Sequence, residues 1–200
     1  MNKDTTQIFM TELDTYLFGQ GTHYEIYNKM GAHLAVKNGK EGVYFVVWAP
    51  KAKEVYVVGD FNDWRAYGYD MKPVSDGGVY ELFVEGARAG QCYKFLIISQ
   101  DGEALYKADP YANAAQLRPE TASVITDLTG FKWTDDKWVE NKKKEDHLSS
   151  AMSIYECHIG SWRKQKDGTK DGYMNYRDIA HELAAVSYTH LRAHETGAYL

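Results

Sequence analysis

The stretch from Gly42 to Trp48 constrains the fold most, because it is apolar on both faces of an extended chain. One face carries Val43, Phe45 and Val47, and the other carries Tyr44, Val46 and Trp48. A strand with two apolar faces is covered on both sides and does not lie on an open sheet with one solvated face. The sequence therefore predicts a β-sandwich with this strand in its interior.

A second strand and an aromatic loop follow directly. Pro50 ends the first strand, because proline has no amide hydrogen to donate to a sheet. Residues 51–53 form a polar turn, and residues 55–58 return as the second strand. Residues 59–64 read GDFNDW, which is rich in turn-forming residues. The pattern predicts a loop with the indole of Trp64 at its tip.

Further short strands are predicted at regular intervals along the next part of the chain. The predicted strands cover residues 79–84, 91–98, 105–107 and 122–126. Asp101-Gly102 is a hairpin signal between two of them. This spacing of strands and turns is typical of a small antiparallel sandwich.

A helix is predicted before the sandwich, over residues 5–18. Thr5 or Thr6 would cap it, and Gly19 and Gly21 would end it. The apolar residues at helical spacing are Phe9, Leu13, Tyr16 and Leu17. The helix is interpreted as a packing element on a neighbouring domain.

Three motifs, in order, resemble one enzyme family. Residues 24–33 read YEIYNKMGAH, residues 42–64 contain WAPKAKEVYVVGDFNDW, and residues 154–163 read IYECHIGSWR. The middle motif resembles the glycogen-binding-type module that precedes the catalytic barrel of α-glucan branching and debranching enzymes, and a related module of the AMP-activated kinase β subunit. The outer two motifs resemble the lead-in and first barrel strand of bacterial 1,4-α-glucan branching enzymes.

The resemblance implies a fold class and an order of domains. We expect a mostly β protein, with an antiparallel immunoglobulin-like β-sandwich followed by the first βα unit of a truncated (β/α)8 barrel. The expected segments are an N-terminal helix (1–22), the sandwich (23–129), a linker (130–150), the start of the barrel (151–186) and a non-native tail (187–200).

The barrel unit is expected to contain a strand at residues 154–159 and a helix capped by Asn175, with Asp178 three residues later. Tyr176, Ile179 and Leu183 would form one side of this helix. Residues 187–200 resemble translated adapter sequence, so we expect the natural coding sequence to diverge near Val186. One βα unit cannot close a barrel, and residues 151–200 are expected to pack poorly or against the sandwich.

The implied activity is that of a retaining transglycosylase, which exchanges an α-1,4 link for an α-1,6 branch without a cofactor. In this family the nucleophile and the acid/base lie on later barrel strands, so the chain has no candidate catalytic residue and is predicted to be inactive. Asp60, Asp63 and Glu156 have no motif support as catalysts. Glu156 and His158 would share one face of the first barrel strand and support the active site.

Sugar binding is the function that the chain itself retains in this interpretation, with α-1,4-glucan (glycogen or amylose) as the partner. Trp64 is the leading candidate, because an indole stacks on a glucose ring; the alternative is a core tryptophan. Lys94, between Tyr93 and Phe95, is either a hydroxyl donor or an edge residue. The related kinase module has a second stacking tryptophan near Leu105 and Tyr106, where this chain has none.

Two other functions stay open. One is a free-standing, non-catalytic glucan-binding module, which the predicted barrel strand argues against. The other is the front end of a debranching enzyme or trehalohydrolase. The lead-in and barrel-strand motifs favour the branching enzyme over the second alternative.

Charge and composition exclude several classes of partner. The net charge of −5 argues against nucleic acid. No apolar run is long enough to span a membrane and no signal peptide is visible. The two cysteines, Cys92 and Cys157, fall in different predicted domains, so reduced thiols and a cytoplasmic location are expected.

No metal site is expected. His181-Glu182 lacks the second histidine of a zinc motif, and His190 and His194 lie in the suspect tail. His33, beside a glycine, is interpreted as structural rather than as a ligand.

Overall fold

The computed structural model describes residues 10–146, 148–151, 154–165 and 172–186. The chain divides into two compact units between Lys132 and Trp133. The first unit contains all nine strands of the described residues. Among the described residues, no helix is long and apolar enough to cross a membrane.

Two antiparallel sheets form the first unit. The strands are β1 (Gly31–Lys37), β2 (Lys40–Trp48), β3 (Ala52–Gly59), β4 (Lys72–Pro73), β5 (Val79–Glu85), β6 (Cys92–Ser99), β7 (Ala104–Lys107), β8 (Ala114–Ala115) and β9 (Ser123–Val124). One sheet has the order β1-β2-β5-β4, and the other has the order β3-β6-β9-β8, with β7 also paired to β6. The predicted mostly β, antiparallel sandwich is confirmed. The two-residue strands β4 and β8 were not predicted.

Strands β2 and β3 lie in opposite sheets, although the sequence analysis predicted only a short turn that brings the chain back as a second strand. Strand β2 pairs with β1 and β5, while β3 pairs with β6. Pro50 and its neighbours carry the chain from one sheet to the other, and the Ala49 amide donates to the Gly78 carbonyl at 2.8 Å. A short polar turn is compatible with either connection, so the sheet change depends on contacts distant in sequence.

Two apolar clusters cover the two faces of β2, as its alternating pattern predicted, except at Trp48, which is exposed at the end of the strand. The cluster between the sheets includes Val43, Phe45, Val57, Tyr93 and Phe95. The cluster on the outer face of the first sheet includes Met10, Met30, Tyr44, Val46 and Val79. Removing this apolar area from water stabilises the sandwich by about 25 cal/mol per Å².

The first helix, α1 (Glu12–Gly19), begins later than predicted. Thr11 caps it: the Asp14 amide donates to Thr11 Oγ1 at 3.1 Å, and the Thr11 amide donates to the Asp14 carboxylate at 2.9 Å. Thr5, Thr6 and Phe9 lie outside the described residues. The predicted apolar face is wrong in part, because Leu13 and Tyr16 are exposed while Asp14 is buried.

Helices, not strands, make up the second unit's regular structure in the described residues. They are α2 (Asp136–Lys144), within the predicted linker, α3 (Ile159–Trp162) and α4 (Tyr176–Val186). The cap of α4 is confirmed, because Asn175 Oδ1 accepts the Asp178 amide at 2.9 Å. On the predicted side of α4, Ile179 is buried but Tyr176 is exposed.

The strand predicted at residues 154–159 is wrong. Residues 154–158 have no regular structure and Ile159 starts α3. An inner barrel strand depends on hydrogen bonds to strands on both sides, and the described residues of this unit contain only the isolated bridge between Lys164 and Tyr173. Ile154 and Tyr155 are exposed, as expected for a poorly packed segment.

Candidate functional site: one face of the second sheet

The loop after β3 is anchored to the core at its centre. Residues Asp60–Asn62 form a turn of 3-10 helix. The Phe61 ring lies 5.4 Å from that of Phe45 and 6.0 Å from that of Tyr69, measured between centroids. Of the two aromatic residues in the GDFNDW loop, Phe61 therefore points into the core, and Trp64 is left at the surface.

Asn62 and Gly59 fix the backbone of the same loop. Asn62 Oδ1 accepts the Gly59 amide at 2.9 Å, and Asn62 Nδ2 donates to the Val57 carbonyl at 3.0 Å. A Cβ atom at Gly59 would lie 2.3 Å from the Cys92 carbonyl oxygen. The close approach of β3 to β6 at this point requires glycine.

Trp64 lies at the end of this loop and is not a core residue. Its side chain keeps 39% of its exposure, and its backbone has a left-handed φ of 61°. Bulky residues seldom adopt this conformation, and such strain is concentrated at binding and active sites. The indole Nε1–H donates to Asp60 Oδ1 at 3.1 Å, and Asp60 Oδ2 accepts the Cys92 amide at 2.7 Å.

Lys94 lies on the outer face of β6. Its neighbours Tyr93 and Phe95 are buried between the sheets, so alternation places Lys94 on the opposite side with Cys92 and Leu96. Strand β6 pairs with strands on both of its edges, so Lys94 is not an edge residue. Its ammonium group donates to Thr121 Oγ1 at 2.7 Å.

Tyr106 joins this face, and the sequence analysis did not select it as a site residue. Tyr106 is opposite Leu96 in the β6–β7 register, and its ring is 57% exposed. Thr121, the partner of Lys94, lies on the β8–β9 hairpin. The strand register was the missing information, although Tyr106 falls where the resemblance implies a second ring.

We call the four residues Trp64, Lys94, Tyr106 and Thr121 the β6 surface. It presents two aromatic rings, an ammonium group and a hydroxyl. Rings offer flat apolar area, while the ammonium and hydroxyl groups donate hydrogen bonds. This combination suits a ligand with flat apolar faces and hydroxyl edges.

Asp60 also affects the protonation of its neighbour on β6, the Cys92 thiol. Burial raises the pKa of the Cys92 thiol, and the adjacent Asp60 carboxylate raises it further. The thiol is therefore protonated at neutral pH and unsuited to nucleophilic chemistry.

The buried Tyr93–Asp109 pair is structural. The Tyr93 hydroxyl donates to Asp109 Oδ2 at 2.5 Å, and the Asp109 amide donates to Ser123 Oγ at 2.9 Å. Burial raises the pKa of Asp109 against the opposing effect of the hydrogen bonds from the Tyr93 hydroxyl and the Tyr111 amide, and burial also raises the pKa of Tyr93. The pair ties β6 to the segment after β7.

An open depression of about 830 Å³ lies along the other edge of β3. Its lining includes Tyr56, Tyr67, Asp70, Lys72 and Tyr80. Neither Trp64 nor Lys94 lines it, so the depression is distinct from the β6 surface.

Among the other residues weighed as ligands or catalysts, His33 and His158 contact local partners. The His33 ring is 2.8 Å from the Met30 carbonyl. Glu156 and His158 do not share a strand face, because no strand forms there, and the His158 ring is 2.9 Å from Ser161 Oγ. The described residues contain no cluster of three His, Cys, Asp or Glu side chains able to hold a metal ion. His190 and His194 lie outside the described residues.

Residues 29–112 match the family model described as carbohydrate-binding module 48, the isoamylase N-terminal domain. This match spans strands β1 to β7 of the sandwich. The module-48 match includes Trp64, Lys94 and Tyr106, while Thr121 follows it.

Curated relatives extend the similarity beyond the module. The chain is 53% identical to the 1,4-alpha-glucan branching enzyme GlgB of Butyrivibrio fibrisolvens, over 92% of the chain and 30% of that protein. It is 47% identical to the GlgB of Protochlamydia amoebophila, over 90% of the chain and 25% of that protein. The chain thus spans less than a third of the length of these relatives and matches their N-terminal region.

Solved structures show a partial similarity to the chain. The pullulanase of Klebsiella pneumoniae complexed with maltotriose is 26% identical over 57% of the chain and 11% of that protein, with a TM-score of 0.43. So limited an overlap supports no conclusion about function.

Proposed function

We propose that the chain binds α-1,4-glucan through the β6 surface and forms the N-terminal part of a 1,4-α-glucan branching enzyme of glycogen biosynthesis. The observation that supports glucan binding best is the exposed Trp64 ring, held beside the strand that carries Lys94. The module-48 match and the names of the relatives support the same substrate class.

The chemistry of the surface fits a glucose polymer. A pyranose ring has an apolar C–H face that packs on an indole or phenol ring, and hydroxyl groups around its edge. In this proposal Trp64 and Tyr106 pack on the sugar faces, while Lys94 donates to a hydroxyl group. Ligand sites of this kind combine apolar area with a few placed polar groups.

The test is titration of the 200-residue chain with maltoheptaose by calorimetry, supported by retardation in amylose-containing native gels. Trp64→Ala is expected to weaken binding about tenfold or more, because stacking area is lost. Lys94→Ala is expected to weaken it about threefold, the value of one exchanged hydrogen bond.

The matched control is Tyr67→Ala, because Tyr67 is 96% exposed and lines the separate depression. Binding unchanged by Tyr67→Ala and lost with Trp64→Ala supports the proposal. Loss with Tyr67→Ala and not with Trp64→Ala would place the glucan in the depression instead.

Catalysis is proposed to need barrel strands that this chain does not supply. The resemblance places the nucleophile and the acid/base on those strands, and the described residues hold no constellation that replaces them. We therefore propose that the 200-residue chain binds glucan without branching it. The proposed location is the cytoplasm, which fits the unpaired thiols of Cys92 and Cys157.

A further inference from the structure

One carboxylate joins the Trp64 ring to β6. Asp60 Oδ1 accepts the indole N–H of Trp64 at 3.1 Å, and Asp60 Oδ2 accepts the amide of Cys92 at 2.7 Å. Cys92 precedes Lys94 by two residues and lies on the same face of the strand. Asp60 thus connects the Trp64 ring to the strand that carries Lys94.

An exposed ring depends on such a contact for its orientation. A tryptophan side chain has two rotatable bonds, and staggered alternatives are close in energy where packing does not select one. Asp60 is itself held, because Phe61 packs in the core and Asn62 caps the same turn. A fixed carboxylate therefore selects one orientation of the indole.

We propose that Asp60 is a positioning residue for glucan binding, which sets the plane of the Trp64 ring relative to the Lys94 ammonium group. This rests on the proposed function of the β6 surface. In this proposal Asp60 acts through Trp64, because one of its oxygens accepts the indole N–H and the other accepts the Cys92 amide, which fixes the carboxylate on β6.

The test uses Asp60→Asn in the 200-residue chain. An amide has only one oxygen, so it turns an N–H group toward one of the two donors that Asp60 accepts. We expect the Kd for maltoheptaose to rise about threefold to tenfold, as for a lost charge-assisted hydrogen bond. We also expect the indole N–H resonance of Trp64, identified from its absence in Trp64→Phe, to shift in the ¹H,¹⁵N spectrum.

The matched control is Asp63→Asn. Asp63 lies in the same loop and is exposed, and asparagine tolerates its left-handed φ of 51°. This variant removes the same charge and is expected to change neither the Kd nor the Trp64 resonance. Equal effects of the two variants would overturn positioning in favour of a general charge effect.

Trp64→Phe gives a second test, through its own affinity if Asp60→Asn does not fold and through the double variant if it does. If Asp60→Asn does not fold, an unchanged Kd of Trp64→Phe for maltoheptaose would overturn the proposal. Trp64→Phe keeps a ring but removes the N–H donor, and it leaves the Asp60–Cys92 contact in place. Its loss of affinity and that of Asp60→Asn are expected not to add in the double variant, since both break one contact. Additive losses would overturn the proposal.

The outcomes separate the two proposals. Weak binding by Trp64→Ala with wild-type binding by Asp60→Asn would overturn positioning and leave glucan binding by the β6 surface intact. Wild-type binding by Trp64→Ala would overturn the proposed function, and positioning with it. Weaker binding by Asp60→Asn with an unmoved Trp64 resonance would mean that Asp60 contacts the sugar directly.

Discussion

Asp14 shows at the scale of one residue how a buried charge joins α1 to the chain after it. Its carboxylate is 2.8 Å from His23 Nε2 and 3.2 Å from Lys29 Nζ, besides its contacts with Thr11. Burial alone would raise the pKa of Asp14, but the hydrogen bonds from Thr11, His23 and Lys29 outweigh burial and hold the pKa well below its ordinary value of 3.8.

The lowered pKa predicts an acid-sensitive contribution to stability. A carboxyl whose pKa is lower in the folded than in the unfolded state stabilises the fold fully above its unfolded value, near 3.8, and loses this contribution as the pH falls below it. Asp14→Asn is expected to lower the free energy of unfolding at pH 7 by about 1.5–3 kcal/mol. It should also flatten the decline of stability below pH 4, measured by urea unfolding at several pH values.

Glu12→Gln is the control, because Glu12 is an exposed carboxylate in the same helical turn. It should leave both the stability at pH 7 and the acid decline near those of the unchanged chain. An acid decline in Asp14→Asn as steep as in the unchanged chain would assign the acid sensitivity to other carboxyl groups.

At the scale of an element, α4 depends on its cap. Asn175 Oδ1 accepts the amides of Arg177 and Asp178, at 3.0 and 2.9 Å. Asn175→Ala is expected to destabilise the helix by about 1 kcal/mol. Faster hydrogen exchange at these two amides measures this loss locally.

Asn141→Ala is the matched control, because Asn141 is exposed inside α2. Alanine favours a helix interior more than asparagine does, so this change should leave exchange in α4 unaltered and slow it in α2. Unchanged exchange at residues 177 and 178 in Asn175→Ala would mean that packing, and not capping, holds the first turn of α4.

Elements whose signals are local were predictable from the sequence, and those that depend on distant partners were not. The two apolar faces of β2 and the Asn175 cap depend on residues that are close together in the sequence, and both predictions are confirmed. The separation of β2 and β3 into different sheets, and the irregular 154–158 segment, depend on partners far along the chain. The same division applies to the candidate site: the loop position of Trp64 was predictable, but Tyr106 needed the β6–β7 register.

At the scale of the whole molecule, we expect the 200-residue chain to bind glucan without catalysing branching. The chain covers 30% of the Butyrivibrio fibrisolvens relative, and its second unit shows no strand from 154 to 158. Incubation of the 200-residue chain with amylose, followed by iodine staining, is expected to leave the blue colour unchanged. The full-length relative is the positive control, and a shift or loss of colour with this chain would contradict the prediction.

Lys94 of the β6 surface lies on a strand that pairs with β3, β7 and β9, and the loop residues are tied to that strand, Trp64 through Asp60 and Thr121 through Lys94. A backbone held on both edges has little conformational freedom to lose when a ligand arrives. In flexible sites, the conformational entropy that is lost on binding offsets much of the contact energy. Here that entropy has already been lost on folding, so binding does not lose it again. For the proposed glucan ligands, the surface should therefore select by how well their existing shape fits it, and not by reshaping itself around them.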